Sequence, residues 1–284
     1  MAGFLAASAC LPLHAEPVGI TERQKLVQQA VSHPKRHGVW VSDTYHDFQD
    51  ARAGLQQSAR TNSLTLGYDQ QVAPRWTAGL ALTQLTQRSE LLQDGTHRKG
   101  NGLLASLYGS YAPLPFLTFP VSLGLGQIKT TQNRVVEGQD LQGRFRNTLS
   151  SASAGITLMV PLQSVFLSNS LRLSYDAGRI GSFVERWPGQ QVGTPAQKTS
   201  STQWHLSTKA SVWVDGKLWP YVSLKYSRDL QRTPDESDAD QWQWGLGLDV
   251  LRGAGWMGGL GYARVAGRQG IDDQSLTLTL RKTW

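Results

Sequence analysis

Hydrophobic and polar residues alternate along the last ten positions of the chain. Leu276, Leu278, Leu280 and Trp284 fall on one face of an extended segment, and Ser, Thr and Arg occupy the other face. A period of two residues predicts a β-strand rather than a helix. One apolar and one polar face are typical of a strand with lipid on one side and a polar lumen on the other. The pattern therefore predicts a strand of a transmembrane β-barrel.

The same alternation recurs about twelve times along the chain. In residues 240–251, for example, Trp242, Trp244, Leu246 and Leu248 alternate with Gln, Gly and Asp. Two tryptophans on a solvated face would expose a large apolar patch to water. A soluble β-sandwich also alternates apolar and polar positions, so the lengths of the connections must distinguish the two folds.

We predict an all-β fold, a transmembrane antiparallel β-barrel of about 12 strands in residues 38–284. The strands are placed at residues 38–47, 61–72, 76–88, 100–112, 116–130, 144–160, 167–183, 201–214, 218–231, 240–251, 255–267 and 273–284. Tight turns near 72–75, 112–115, 161–164, 214–217 and 251–254 alternate with longer loops near 48–60, 89–99, 131–143, 184–200, 232–239 and 268–272. Membrane barrels have short periplasmic turns and longer extracellular loops. An even strand count brings both ends of the barrel to one side, which is predicted to be periplasmic.

Aromatic residues support this orientation. Five of them lie near the predicted periplasmic strand ends with lipid-facing parity: Trp76, Tyr111, Phe119, Trp256 and Trp284. They would form half of the interfacial aromatic girdle of a membrane barrel. Phe166 and Trp219 lie at the same height with the opposite parity, so a β-bulge or a shifted strand boundary is expected there.

The bulk composition changes this picture little. A single barrel of this strand number uses nearly all of the 284 residues. No uninterrupted apolar stretch of about 18 residues exists, which excludes an ordinary bundle of membrane helices. The net charge of +7 is compatible with a nucleic-acid partner. However, the chain has no basic run with interleaved aromatics, so no nucleic-acid partner is predicted, and a monomer in the outer membrane is expected.

Basic residues cluster in or beside the predicted outer loops. They are Arg88, Arg98, Lys99, Arg134, Arg144 and Arg146. Arginine binds phosphate through charge-assisted hydrogen bonds, so lipopolysaccharide is a candidate partner among the outer-membrane lipids. Ordinary solvated loop charge explains the same residues equally well, and both interpretations stay open.

The first 15 residues resemble a secretory signal peptide with cleavage before Glu16, although no Lys or Arg precedes its apolar core. Cys10 is the only cysteine, so neither an intrachain disulfide nor a thiolate metal cluster is possible. A lipoprotein modification at Cys10 is a second interpretation of the same segment.

Residues 16–37 link this leader to the barrel and include a predicted helix at 20–31. Thr21 and Gln24 have the spacing of a capping box. An isolated helix of this length is marginal in water, so it needs a surface to lie on. The polar lumen would provide that surface, and a frayed periplasmic tail is the alternative.

Strand parity assigns a set of charged residues to the lumen. They are Asp69, Arg172, Asp176, Lys209, Lys225 and Asp249. They could pair across the pore, hold the helix or tune ion preference, and the first two roles are structural.

An outer-membrane lipid hydrolase is the alternative to a barrel without catalytic activity, because a phospholipase of that membrane also uses a twelve-stranded barrel. Its serine would need a nearby histidine base. The best pair is His205 with Ser207 on the same strand face, where lumen lining also explains both. The chain has no Gly-x-Ser-x-Gly elbow and no metal-ligand spacing, so no catalytic, cofactor-binding or metal-binding residues are predicted.

Four short motifs occur in a set order along the chain: Gly38–Val41, Trp219–Leu224, Trp244–Leu248 and Gly258–Tyr262, followed by the aromatic terminus. By the order of these motifs, the chain after the leader resembles the C-terminal translocator barrel of the autotransporters, the type V secretion proteins, especially those with esterase passengers. The resemblance implies a twelve-stranded barrel with a helix threaded through it and a role in protein transport.

The resemblance also implies that the barrel-assembly machinery recognises the terminal strand. Leu276, Leu278, Leu280 and Trp284 would be that assembly signal. Lys282 departs from the family pattern, which usually has an apolar or aromatic residue at this position.

A second departure concerns the passenger. Only about twenty residues separate Glu16 from Gly38, which is too few for a folded passenger domain. Three explanations compete: a truncated gene model, a translocator that has lost its passenger, and a barrel that works alone as a small porin or surface protein.

Overall fold

A computed structural model describes residues 37–52, 56–92, 95–136, 138–187, 190–214, 217–233, 240–252, 255–267 and 270–284. The predicted signal peptide, Cys10 and the predicted helix at 20–31 lie outside these residues. Within the described ranges, no helix has the length and apolarity needed to cross a membrane, a finding that does not bear on crossing by strands.

The described residues form fourteen β-strands. They are β1 (His37–Asp50), β2 (Gln57–Ala73), β3 (Trp76–Leu91), β4 (Thr96–Leu114), β5 (Leu117–Val136), β6 (Gln139–Leu162), β7 (Val165–Ile180), β8 (Phe183–Trp187), β9 (Gln190–Thr194), β10 (Gln197–Val212), β11 (Leu218–Thr233), β12 (Asp240–Arg252), β13 (Trp256–Ala266) and β14 (Ile271–Thr283).

Twelve of these strands close into an antiparallel barrel, which confirms the predicted fold. Strands β1 to β7 pair in sequence, β7 pairs with β10, and β10 to β14 pair in sequence. The first and last strands close the ring along an unbroken register from Gly38 opposite Thr283 to Asp50 opposite Ile271. Closure leaves no unpaired edge among the barrel strands, which a bilayer requires because it offers no water to free backbone groups.

The two ends of the barrel differ. At the end that we call the terminal end, the His37 amide donates to the Trp284 carbonyl at 3.2 Å, and the Trp284 amide donates to the His37 carbonyl at 3.1 Å. The turns at 74–75, 115–116 and 163–164 lie at this same end. The opposite end, which we call the loop end, carries the β8–β9 hairpin between β7 and β10.

The strands extend further towards the loop end than the sequence pattern predicts. The predicted loop at 131–143 is instead a hairpin whose ladder continues to Val136 opposite Gln139, and the predicted loop at 89–99 shrinks to 92–95. The predicted loop at 184–200 contains the β8–β9 hairpin. Backbone ladders need no apolar alternation, so polar residues beyond the lipid-facing region stay paired in water.

Side chains alternate between an exposed apolar outer face and a buried inner face. Leu64, Leu66, Leu123 and Leu125 are between 49% and 68% exposed, as expected for side chains that would face lipid. The tryptophans of β12 share that outer face, because Trp242 is 47% and Trp244 is 40% exposed.

The inner face is not uniformly polar. Leu85, Ile128 and Leu149 form a buried cluster with Leu104 packed against it, and all four point inward from β3, β4, β5 and β6. Glycine makes room for this cluster. A Cβ at Gly102 would lie 2.6 Å from a side-chain carbon of Ile128, closer than real side chains approach.

Candidate functional site: the barrel interior

An ion pair spans the closure of the barrel. Arg281 on β14 donates from its two terminal nitrogens to the two carboxylate oxygens of Asp69 on β2, at 2.9 and 2.5 Å. Both side chains are more than nine-tenths buried. The strand between them, β1, carries Gly38 at this height, and a Cβ there would meet the Arg281 guanidinium at 2.5 Å. The pair therefore lies over a glycine and ties the last strand to the second one.

Two aromatic residues extend this network across β1 to β4. The Trp40 indole nitrogen donates to the Tyr108 hydroxyl at 2.9 Å, and that hydroxyl lies 3.3 Å from an Asp69 carboxylate oxygen. Each ring covers a glycine of the next strand, since a Cβ at Gly67 would strike the Trp40 ring and a Cβ at Gly79 would strike the Tyr108 ring. The result is a continuous buried network over five neighbouring strands.

A second ion pair lies near the terminal end on β10 to β12. The Lys209 ammonium lies 3.1 Å from an Asp249 carboxylate oxygen and 3.8 Å from the centre of the Tyr221 ring. The Tyr221 ring covers Gly247, where an added Cβ would overlap it. A cation held between a carboxylate and an aromatic face is stabilised by both.

His205 and Ser207, the best candidate pair for hydrolysis, are not arranged as a catalytic base and its nucleophile. His205 is 3% exposed, and its two ring nitrogens lie 2.9 Å from the Ser174 hydroxyl and 2.8 Å from the Ser227 hydroxyl. The Ser207 hydroxyl lies 2.6 Å from that of Ser170. A catalytic histidine has the nucleophile at one ring nitrogen and an orienting group, usually a carboxylate or an amide oxygen, at the other. Here hydroxyl groups occupy both places, so the histidine bridges β7, β10 and β11.

The remaining interior candidates line the same wall. Arg172 lies opposite His205 on neighbouring strands, Lys225 lies opposite Ser207, and Asp176 lies opposite Ser201. All three are half-buried, on the inner side of their strands.

A charged network at the loop end was missed by sequence reasoning. Glu185 on β8 is 1% exposed, accepts a hydrogen bond from the Gln132 amide at 2.8 Å and pairs with Arg134. Arg98 donates to Gln132 at 2.6 Å. The alternation of Phe183 and Glu185 with Val184 and Arg186 is the signal for a strand here, although the sequence pattern predicts a loop at residues 184–200.

Two of the basic residues attributed to the outer loops therefore face inward. Arg98 and Arg134 belong to this network, whereas Arg88, Lys99, Arg144 and Arg146 are exposed on the outer face. The physical reason is the extension of β4 and β5, which imposes strand parity on residues that were expected to lie in loops.

The predicted bulge is absent at Phe166 and Trp219, and β7 begins at Val165, two residues before the predicted boundary. The registers of β7 with β6 and of β11 with β12 run without interruption through both residues. Trp219 is 6% exposed, with its ring 5.1 Å from Phe166 and 4.7 Å from Trp213. The two aromatics point inward because they pack on each other near the terminal end, not on lipid.

The residues proposed as an assembly signal lie on the outer face of β14. Leu276, Leu278, Leu280 and Trp284 are 48%, 60%, 46% and 60% exposed. The Lys282 ammonium lies 5.3 Å from the centre of the Trp256 ring on β13.

A family model and several solved structures resemble this chain. A profile of the autotransporter β-domain family matches residues 39–263. The translocator domain of autotransporter NalP from Neisseria meningitidis has a TM-score of 0.77 at 16% identity, covering 93% of this chain and 95% of that one. The β-domain of the Bordetella autotransporter BrkA has a TM-score of 0.72 at 19% identity, covering 87% and 98%.

A more distant likeness is found in the transport unit of AIDA-I from Escherichia coli, with a TM-score of 0.53 at 12% identity, covering 93% and 97%. Among curated proteins, none matches by sequence. These structures share the fold, and the profile covers well over half of the 284 residues. The chain therefore belongs to the autotransporter β-domain family and is an outer-membrane translocator barrel.

Proposed function

We propose that the barrel exports a passenger polypeptide through its lumen to the cell surface, with the terminal end in the periplasm. The observation that carries this proposal is the junction of His37 with Trp284 at one rim. The chain that precedes β1 reaches the barrel at that rim, beside the opening of the lumen. A polypeptide fused ahead of β1 would then enter the lumen from the periplasm.

The asymmetry of the ends supports this orientation. Membrane barrels keep short turns on the periplasmic side and longer connections outside. The two-residue turns at 74–75, 115–116 and 163–164 lie at the terminal end, and the β8–β9 hairpin lies at the loop end. Trp76, Tyr111 and Phe119 stack on neighbouring strands near the terminal end, with ring centres 4.6 and 6.5 Å apart, as an interfacial girdle requires.

The segment ahead of the barrel has two proposed roles. Residues 1–15 act as a signal peptide, and residues 20–35 occupy the lumen after export. A barrel of eight strands is filled by its own side chains and one of sixteen encloses a channel, so twelve strands leave room for one helix.

The terminal strand has a proposed role in assembly. The exposed row of Leu276, Leu278, Leu280 and Trp284 would be recognised by the barrel-assembly machinery. Lys282 interrupts the pattern, but its position over the Trp256 ring keeps its aliphatic stem on an apolar surface. We therefore expect recognition to survive this departure.

In this proposal the charged interior residues stabilise the barrel wall and line its lumen. Asp69, Lys209 and Asp249 hold together strands that are separated by one intervening strand, through the ion pairs described above. Arg172, Asp176 and Lys225 line the path of the passenger and balance charge along it. The barrel works as a monomer and performs no chemistry.

Single-channel conductance tests the proposal. The chain beginning at Glu16 is expected to show low conductance in planar bilayers, and a variant that lacks residues 20–35 is expected to show a larger, steady conductance because the lumen is then empty. A wide, steady conductance with residues 20–35 present would contradict the proposal and favour a porin.

A further inference from the structure

We propose that the outer face of the barrel, close to its loop end, binds the phosphate groups of a lipid headgroup in the surrounding leaflet. The site is a row of six exposed basic side chains on six adjacent strands, which we call the basic arc: Arg88, Lys99, Lys129, Arg146, Arg179 and Lys198. The inference rests on the proposed orientation, which turns the loop end to the outer leaflet, and adds a lipid partner to the translocator.

The basic arc belongs to the lipid-facing side of the wall. Arg88 shares strand parity with Leu82, and Lys129 shares strand parity with Leu125, which are 47% and 68% exposed. Four residues separate Leu125 from Lys129, or about 13 Å along a strand at roughly 3.3 Å per residue. The charges therefore lie nearer the loop end than these leucines, where lipid headgroups would begin.

The register places like charges directly opposite each other. Arg88 pairs with Lys99, Lys129 pairs with Arg146, and Arg179 pairs with Lys198. Side chains opposite each other have Cβ atoms about 5 Å apart, and like charges in this arrangement destabilise a sheet. An anion between the two cations of each pair would convert that repulsion into attraction.

Neighbouring pairs are also linked. Lys99 lies opposite Thr131, two residues from Lys129 on the same face. Arg179 lies opposite Thr148, two residues from Arg146. Diagonal neighbours of this kind are about 7 to 8 Å apart, so the six cations form one continuous surface across β3 to β7 and β10.

Three exposed arginines elsewhere on the barrel surface have carboxylate partners. Arg60 pairs with Asp47 at 3.5 Å, Arg228 with Asp240 at 3.6 Å, and Arg264 with Asp272 at 3.0 Å. None of the six residues of the basic arc forms an ion pair with a carboxylate of the described residues. These three arginines are neutralised within the wall, whereas the six cations of the basic arc leave their charge for an external partner.

A lipid carrying two phosphates fits this surface. Five steps between six strands, at about 4.8 Å each, give the arc a width of about 24 Å, which spans more than one phosphate. Arginine and lysine both form charge-assisted bonds to phosphate oxygens. The exposed leucines Leu82, Leu103 and Leu125 lie four to six residues from the arc on the same outer face and would contact the acyl chains of the same lipid, which a soluble anion lacks.

The test uses the full chain, purified in an uncharged detergent and titrated with bisphosphorylated lipid A. Native mass spectrometry counts the bound lipid. The arc variant removes one charge of each opposed pair, with Lys99→Gln, Arg146→Gln and Arg179→Gln. The matched control removes three exposed arginines that already have carboxylate partners, with Arg60→Gln, Arg228→Gln and Arg264→Gln. Three lost charges are expected to weaken binding on the order of a hundredfold.

The control variant is expected to bind lipid A like the original chain, and the original chain is expected to bind dephosphorylated lipid A far more weakly. A second readout is the thermal unfolding midpoint. Without lipid A the arc variant is expected to unfold no earlier than the original chain, because repulsion is relieved, and with lipid A only the original chain should gain stability. Equal binding of the dephosphorylated lipid, or an equal loss in the control variant, would overturn the inference.

Passenger export is measured separately, so that the two proposals can fail separately. A barrel that exports a passenger but does not bind lipid A would overturn the lipid site alone. A barrel that binds lipid A but exports nothing would overturn the translocator function alone.

Discussion

The Asp69–Arg281 ion pair joins the last strand of the barrel to the second strand across β1. Removing one partner of a buried ion pair leaves an uncompensated charge, which costs about 3 to 5 kcal/mol. We expect Asp69→Asn to lower the free energy of unfolding by about 3 kcal/mol, measured by urea titration of the barrel in lipid vesicles.

The matched control for Asp69→Asn is Asp272→Asn. Asp272 pairs with Arg264 at 3.0 Å, but both side chains are nearly half exposed. An exposed pair contributes about 1 kcal/mol or less, so this substitution should have little effect. Equal losses in the two variants would contradict the structural role of the buried pair.

Gly67 provides the space that the Trp40 ring occupies. Gly67→Ala would force that ring from its position, and overpacking of a buried site costs about 1 to 3 kcal/mol. Gly193→Ala is the control, because a Cβ there would meet no heavy atom within 4 Å. We expect the same urea titration to show a clear loss for Gly67→Ala and little change for Gly193→Ala, and the reverse order would refute the packing account.

His205 separates a structural interpretation from a catalytic one. His205→Ala would leave the Ser174 and Ser227 hydroxyls without the histidine, at a cost of about 1 to 3 kcal/mol for an unsatisfied buried group. We expect a loss of stability and no change in background hydrolysis of p-nitrophenyl esters or phospholipid. Hydrolysis by the purified barrel that disappears in His205→Ala would show that the barrel is an enzyme.

For single residues, the sequence predicts which side chains face the interior but not which partners they contact. Period-two alternation names Asp69, Lys209 and Asp249 as interior candidates, and each is more than nine-tenths buried. Their partners could not be predicted, because Arg281 and Asp69 are 212 positions apart and meet only through the closure of β14 on β1. Alternation gives the face of a side chain, while partners depend on strand register.

At the scale of elements, a buried carboxylate ties the β8–β9 hairpin to β5. Glu185→Gln would weaken the bond to Arg134, and a hydrogen bond to a charged group contributes about 1.5 to 3 kcal/mol. We expect amide exchange in residues 183–187 to accelerate about tenfold or more, while exchange in β14 stays unchanged. The measurement is hydrogen–deuterium exchange read by mass spectrometry.

The control for the hairpin is Glu90→Gln. The Glu90 side chain is 44% exposed, and its carboxylate oxygen lies 3.8 Å from a His97 ring nitrogen, near the upper limit for an ion pair. This substitution should leave exchange in residues 183–187 unchanged. If Glu185→Gln also left it unchanged, the network with Gln132 and Arg134 would not be what holds the hairpin.

Element boundaries were predicted well at the terminal end and poorly at the loop end. The apolar alternation ends where lipid would end, so β5 and β6 lost their visible signal near residues 130 and 144, although their ladder continues to Val136 and Gln139. Glycine and polar residues in 184–200 also hid a hairpin whose inner face carries Phe183 and Glu185.

At the scale of the whole molecule, closure explains why the fold was readable from the sequence. Twelve amphipathic strands with one lipid-facing side have no stable arrangement with free edges in a bilayer, so the strands must close into a ring. The number of barrel strands could be counted from alternation alone. The apolar patch around Leu85 and Ile128 could not be predicted from alternation, because its residues have lumen parity and come from four separate strands.

The central claim is that this barrel carries a passenger to the cell surface, and display of a reporter tests it most directly. A small unstructured epitope would be placed behind a known signal peptide and ahead of Glu16, and antibody binding would be measured on intact Gram-negative cells. We predict surface labelling whenever the heat-modifiable, folded barrel is present in the outer membrane. A folded barrel in the outer membrane with the epitope retained in the periplasm would contradict the account.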